Sequence, residues 1–253
     1  MNDPTWPEDA TKDRLVGEWS FWQRKGGHRT STDDLLTAWA AAQNAGPSVA
    51  RYLDLGCGIG SVLLQTVSAV RPNEAVGIEA QEQSALMARR SIAELPEGTP
   101  PIEVRFGDLR DLEAAELGLF ELITGSPPYL PEGTGIVSPD PQRAACRFEL
   151  RGGIEAYCES AERFLTDAGQ FFVVFQTQWD ERVLAAGAAA NLHLRWRADV
   201  RTRVDRPAPF LTVYGFQKQP GPCATVEFAT RDSDGELTPE YRAVGTTLGH
   251  VWR

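Results

Sequence analysis

Two short stretches combine residue types that can do chemistry. Asp54-Leu55-Gly56-Cys57-Gly58-Ile59-Gly60 follows the apolar pair Tyr52-Leu53 and runs directly into Ser61-Val62-Leu63-Leu64, the pattern of a strand turning sharply into a helix. Glycines there let a ligand lie against bare backbone, and amides at the start of a helix favour a carboxylate or another electron-rich group. The spacing is G-x-G-x-G with an acid two residues before the first glycine, which differs from the G-x-G-x-x-G of dinucleotide sites. The second stretch, Ser126-Pro127-Pro128-Tyr129, lies one glycine beyond the largely apolar run Phe120-Glu121-Leu122-Ile123-Thr124. Adjacent prolines donate no ladder hydrogen bonds and hold the backbone extended, so the strand stops there and presents a fixed hydroxyl, free carbonyls and an aromatic ring. Each stretch alone also fits a ligand-free turn. Together, about 70 residues apart, they fall where three βα steps of a doubly wound sheet bring two strand ends side by side.

The elements that must position them can be read in chain order. Leu15, Val16, Trp19 and Trp22 recur at helical offsets, which predicts an amphipathic helix within residues 11–24, after a frayed arm over residues 1–10. A basic stretch, Arg24-Lys25-Gly26-Gly27-His28-Arg29, leads to Thr30-Ser31-Thr32-Asp33-Asp34 and a helix from Leu35 to Asn44 that Gly46-Pro47 ends. Ser31 or Thr32 can cap it, and the two aspartates suit its first turn. The chain then alternates strand and helix. Ala75-Val76-Gly77-Ile78-Glu79 is a second strand ending in an acid, where doubly wound folds hold a ribose through its two hydroxyls. The third strand, Ile102 to Phe106, runs into Gly107-Asp108, and the fourth ends at Ser126. Residues 130–151 lack clear periodicity and leave from the Pro-Pro corner, so this long loop with Gln142, Arg143 and Arg147 is expected to cover a substrate. A helix over about 153–165 and a strand over 170–175 follow, then strands over 194–203 and 210–217. Arg195, Arg197, Arg201 and Arg203 share one strand face by spacing, as a substrate patch or a solvated edge.

A net charge of −10 and a pI near 4.9 argue against a surface that is basic overall, and with it against strong nonspecific nucleic-acid binding, while leaving a local basic patch open. The cysteines at 57, 146, 158 and 223 have no zinc or C-x-x-C spacing, so free thiols and no metal site are expected. The start of the chain is polar and no run reaches membrane-spanning length, so a soluble, cytoplasmic protein is expected.

The glycine stretch resembles motif I of class I S-adenosylmethionine (SAM) methyltransferases. The Ser-Pro-Pro-Tyr stretch resembles the (Asn/Asp/Ser)-Pro-Pro-(Tyr/Phe/Trp) motif of enzymes in that class that alkylate an amino nitrogen conjugated to a π-system. The resemblance widens with Ser31-Thr32-Asp33 before Leu35-Leu36 and Ala38-Trp39, with Pro141-Gln142-Arg143-Ala144 after the corner, and with Asp234-Gly235-Glu236-Leu237-Thr238-Pro239-Glu240. These are similar to the bacterial tRNA1(Val) adenine-N6 methyltransferases, over most of the chain.

That resemblance implies a Rossmann-like α/β fold with a seven-stranded, mostly parallel sheet, one antiparallel strand and helices on both faces. It implies a helical N-terminal segment over 1–46, a methyltransferase domain over 47–218 and a C-terminal extension over 219–253. SAM would be held by Thr32, Asp33, Asp54, Gly56, Gly58, Gly60, Glu79 and Asp108. Ser126, Pro127, Pro128 and Tyr129 would be catalytic. The hydroxyl of Ser126 and the carbonyl of Pro127 would accept the two N–H bonds of an aromatic amine, while Tyr129 stacks on the base. Ser126 stands where the family usually has Asn, and the charge is more acidic than a tRNA binder's. The implied acceptor is adenine N6 in tRNA or other structured RNA. The alternatives are a small-molecule amine, a protein glutamine, and a SAM-binding module without catalysis.

Overall fold

The computed structural model describes residues 6–250. Its elements in chain order are β1 (Ala10–Val16), β2 (Trp19–Arg24), α1 (Thr32–Asn44), β3 (Arg51–Leu55), α2 (Ser61–Val70), β4 (Glu74–Glu79), α3 (Glu82–Ile92), β5 (Ile102–Phe106), α4 (Ala114–Leu117) and β6 (Phe120–Gly125). Then come α5 (Pro141–Arg147), α6 (Ile154–Phe164), β7 (Leu165–Gln176), α7 (Asp180–Ala189), β8 (His193–Arg201), β9 (Leu211–Gln217), β10 (Ala224–Ala229) and α8 (Pro239–Thr247).

Eight strands form one sheet in the order β10-β8-β9-β7-β6-β3-β4-β5. Only β9 runs antiparallel to its neighbours β7 and β8, and the other pairings are parallel. The central strands are apolar on both faces, as strands covered by helices on both sides must be: Tyr52, Leu53 and Leu55 of β3 and Phe171 to Phe175 of β7 are buried. Helices α1, α2 and α3 cover one face, and α6 and α7 the other. The expected Rossmann-like α/β fold is therefore observed, with an eighth strand beyond the expected seven. That strand is β10, from the C-terminal extension, which pairs parallel to β8. After it, Thr238 caps α8, accepting a hydrogen bond from Tyr241 N at 3.2 Å, and α8 packs on α1.

The sheet order reverses between β3 and β6. The chain builds outward from β3 to β4 and β5, then crosses back to β6 and β7. At such a switch point two loops leave adjacent strands in opposite directions and open a crevice at the carboxyl ends. Leu55 and Gly125 are register partners, so the glycine turn and the Pro-Pro corner start side by side.

The helix expected within 11–24 is instead the hairpin β1–β2. Trp19, Phe21 and Gln23 are buried while Ser20, Trp22 and Arg24 are half-buried, a period of two. On a helix, Phe21 would lie about 200° round from Trp19 and could not share its buried face. Gly17, at φ +53°, starts the two-residue turn between Val16 and Trp19, with open space where a Cβ would stand. The hairpin packs on α3, with Trp22 N donating to Ser91 Oγ at 2.8 Å. Residues 1–5 of the expected N-terminal arm and 251–253 of the extension lie outside the described residues. No helix among the described residues is long and apolar enough to cross a membrane.

The stretch 130–151 also contains a helix that its lack of periodicity hid. Asp140 caps α5, accepting from Arg143 N at 2.9 Å, and Pro141 takes the first helical position, where a missing N–H costs nothing. Arg24 at the end of β2 bonds Asp9 Oδ1 at 2.8 Å and pairs with Asp140 Oδ2 at 2.7 Å. The hairpin and α5 are thus tied to each other. Nor do the four arginines of the 194–203 strand form a patch. That strand lies inside the sheet, between β9 and β10, and each guanidinium has a partner. Arg195 donates to the carbonyls of Gln219 and Pro222, Arg197 pairs with Asp180 and Asp199, Arg201 with Glu227, and Arg203 with Asp205.

Candidate active site

Both chemical stretches line one cavity, together with residues from α1, β4, the turn after β5, and α6. After β3, Gly56 and Gly58 hold φ of +63° and +56°, a backbone that L-side chains rarely adopt. A Cβ on Gly56 would overlap the Tyr157 hydroxyl, which reaches up from α6 beneath the turn. A Cβ on Gly58 would meet nothing within 4 Å, so its backbone is bare to the cavity. Gly60 takes the left-handed position that begins α2, close to Ala88 and Leu64, and is outside the cavity wall.

Three buried carboxylates converge on this space. Asp54 Oδ1 accepts from Thr124 Oγ1 at 2.7 Å, and Thr124 is in turn bonded to the Tyr52 hydroxyl at 2.6 Å. Asp54 Oδ2 is buried with no hydrogen-bond partner among the described residues, and burial pushes this carboxyl up to about 8. Glu79 accepts from Gly58 N at 2.8 Å and from Gln81 N at 2.7 Å. Burial still raises its pKa, against those two amides. Asp34 accepts from Ser31 N at 3.2 Å, reciprocating the cap of α1, and burial beside Asp33 pushes it up to about 6. Carboxyls whose charged form is disfavoured by burial favour a cationic ligand, which compensates the charge they gain on ionising. Asp108 also lines the cavity, but its carboxylate is engaged by Arg110 at 2.7 Å, which holds it below the usual range.

This donor set fits SAM. The bare backbone at Gly58 is a cradle, and the orphaned Asp54 Oδ2 is an acceptor for an ammonium. Glu79 keeps unused lone pairs on both oxygens for ribose hydroxyls.

At the other corner, Pro127 is buried while Ser126, Pro128 and Tyr129 are half-buried. The Tyr129 hydroxyl donates to Asp33 Oδ2 at 2.9 Å, and its ring meets Phe175 edge-on with centroids 5.0 Å apart. Burial and the adjacent Asp33 carboxylate push the phenol well above its ordinary value, so it stays a donor. Tyr129 and Asp33 line the inner cavity and also a second, outer one. The outer cavity is basic, lined by Lys25, His28, Arg29, Arg143 and Arg147. Arg29 is paired with Asp13 at 3.3 Å, whereas Lys25, Arg143 and Arg147 have no ion pair among the described residues. The acidic chain therefore carries a local basic rim beside the Pro-Pro corner.

Of the expected residues, the structure brings together Asp33, Asp54, Gly56, Gly58, Glu79, Asp108 and Ser126 to Tyr129 in the inner cavity, and Arg143 and Arg147 in the outer one. Besides Gly60, which lies outside the cavity wall, two expectations are corrected. Gln142 is a strut: it is 3 % exposed, and its Nε2 donates to Ser84 Oγ at 3.0 Å, fastening α5 to α3. Thr32 faces α8, where its side chain bonds Tyr241, because the next two positions of the helical turn face the cavity. Asp34, His28, Cys146, Arg151 and Tyr157 line the cavity and were not foreseen. Asp34 had a signal in its Ser31-x-x-Asp34 capping spacing, whereas Tyr157 reads in sequence as one more apolar position of an amphipathic helix.

No protein-family model matches the chain. It is 32% identical over 213 residues to the tRNA1(Val) (adenine(37)-N6)-methyltransferase of Citrobacter koseri, with 83% of each chain covered. It is 30% identical over the same length and coverage to that of Cronobacter sakazakii. Its fold is similar to a crystal structure described as a predicted O-methyltransferase from Agrobacterium tumefaciens. There the TM-score is 0.63 and the identity 20%, with 88% of this chain and 99% of that one covered. It is also similar to M. jannaschii TYW2 in complex with AdoMet, with a TM-score of 0.55 and 13% identity over 84% of this chain and 88% of that one. At these identities the two structures share the fold alone.

Proposed function

The chain belongs to the bacterial tRNA1(Val) adenine-N6 methyltransferase family and is a SAM-dependent methyltransferase acting on an amine, and from that premise we propose that its acceptor is the exocyclic N6 amino group of adenine in tRNA or another structured RNA. The observation that carries this reading is the Ser126–Tyr129 corner, which lines the SAM cradle while Tyr129 also lines the basic outer cavity. A polyanionic acceptor can rest on Lys25, Arg143 and Arg147 while one base reaches past Tyr129.

SAM supplies an electrophilic methyl group on a sulfonium. The chain supplies the rest. An aromatic amine is a weak nucleophile because its lone pair is delocalised into the ring. The Ser126 hydroxyl and the Pro127 carbonyl accept its two N–H bonds, which draws the nitrogen toward tetrahedral geometry and frees the lone pair. Pro127 is buried and rigid, so its carbonyl needs no reorganisation when the amine arrives. Tyr129, pinned by Asp33 and Phe175, is the wall on which the base stacks. When nitrogen gains the methyl group it must lose a proton, and Asp33 and His28, which line both cavities, are the bases at hand. Asp54, Glu79, Asp33 and the glycine turn hold the cofactor in this reading, with Asp34 in the place expected of Thr32.

The net charge of −10 favours a second reading, N-methylation of a small amine or a protein glutamine. The local cations of the outer cavity weigh against it. Incubation with methyl-labelled SAM and separate RNA, protein and metabolite fractions decides between them. Label in tRNA supports the RNA acceptor, and label confined to protein or metabolites overturns it.

A further inference from the structure

Between Leu130 and Asp140 the chain makes an excursion that the site described above does not use. Both of its feet are fixed. Leu130 N donates to Arg147 O at 3.0 Å and Glu149 N to Leu130 O at 2.9 Å, while Asp140 is held by Arg24. Arg147 and Leu130 themselves line the outer cavity, so the excursion springs from its rim. The first half is a formed turn, with Thr134 N and Thr134 Oγ1 both donating to Pro131 O, and Gly133 and Gly135 at φ +80° and +78°. At its tip Ile136 is 93 % and Val137 52 % exposed. Ile136 is four residues from Asp140, so the tip can lie no more than about 14 Å from that anchor. The segment 131–139 carries a single charge, Glu132.

A turn that springs from the rim of a cationic pocket and presents two bare branched side chains has a specific use. A base that enters such a pocket leaves a gap in its stack, and an apolar side chain fills that gap at less cost than water. We propose that Ile136 and Val137 form a wedge that enters the base stack of the RNA acceptor next to the target adenosine, while Arg143, Arg147 and Lys25 hold the flanking phosphates. This rests on the RNA reading above. Continuity with the outer cavity and the charge of its rim select a nucleic acid over an apolar partner as the occupant.

The test uses the full chain, the double variant Ile136→Ser with Val137→Ser, and two synthetic RNA hairpins carrying the anticodon arm of tRNA1(Val). One hairpin has natural neighbours around the target adenosine, and the other has abasic neighbours, so that its stack is already open. The wedge predicts that the variant loses about tenfold or more in kcat/KM on the natural hairpin and less than about twofold on the abasic one. It also predicts that 2-aminopurine at the target position brightens on binding wild type and stays quenched with the variant. A role in loop stability alone would lower both hairpins together, and that result overturns the wedge. Equal activity of variant and wild type on the natural hairpin also overturns it, and leaves the tip to a protein partner. Wild type that methylates neither hairpin nor bulk tRNA removes the RNA reading itself, whereas labelled RNA with an unaffected variant removes only the wedge.

Discussion

Replacing Asp54 by Asn should separate the cost of a buried carboxyl from its use. Burial holds this group at about 8 in the folded chain without cofactor, against about 4 in an unfolded one. A carboxyl raised in this way contributes stability that is complete below about pH 4 and is lost as pH climbs through about 8. At 1.4 kcal/mol per pH unit the whole gap corresponds to roughly 5 kcal/mol, of which about 4 kcal/mol falls between pH 5 and pH 9. Asn keeps the shape and the hydrogen bond from Thr124 but does not ionise. Urea denaturation at pH 5, 7 and 9 without SAM should show wild type losing about 4 kcal/mol more than Asp54→Asn across that range, with the variant the more stable at pH 9. The same variant should bind SAM at least about 30-fold more weakly, because a charged hydrogen bond to an ammonium is gone. Parallel stability curves for the two proteins would refute the claim that Asp54 is held as a desolvated, half-partnered acid.

Other consequences of the geometry can be checked alongside. Below pH 8 SAM affinity should fall about tenfold per pH unit, with about one proton released per SAM bound at pH 7, read by calorimetry in buffers of different ionisation heat; no proton release would place the ammonium elsewhere. Gly56→Ala should lower the melting temperature through overlap with Tyr157, whereas Gly58→Ala, whose Cβ enters open space, should leave more of the fold intact and mainly weaken SAM binding. Ser126→Ala should reduce kcat about 10- to 100-fold with SAM affinity unchanged, by loss of one acceptor for the amine. Tyr129→Phe keeps the ring and removes the bond to Asp33, so single-turnover rates should fall about tenfold while the melting temperature stays near wild type.

What could be seen in the sequence is what local backbone chemistry dictates. The glycine turn after β3 and the Pro-Pro stop after β6 constrain φ, ψ and donors residue by residue, so their places in the fold were legible. Glu79 and Asp108 were legible as cavity positions because one ends β4 and the other follows β5 by two residues. The hairpin β1–β2 was not, because Leu15, Val16, Trp19 and Trp22 fit a helical stripe until Phe21 is given equal weight. Asp34 and Tyr157 reach the cavity through packing of α1 and α6 that no local pattern encodes. Gln142 was misassigned because an amide in an arginine-rich loop reads as a substrate ligand, and only the buried Ser84 opposite it gives its role as a strut. The arginines of the 194–203 stretch were not legible as paired, because partners such as Asp180, Glu227 and the carbonyls of Gln219 and Pro222 lie far from them in sequence.

The central claim is that methyl transfer takes place where the glycine turn and the Pro-Pro corner share one cavity, and that an exocyclic amine receives it. Mass spectrometry of nucleosides from a tRNA1(Val) transcript, incubated with the purified chain and SAM, tests this most directly. The proposed function predicts N6-methyladenosine as the product, formed by wild type and reduced by Ser126→Ala. A methyl group on a ribose oxygen or on a ring nitrogen, or equal product from the Ser126 variant, would contradict it.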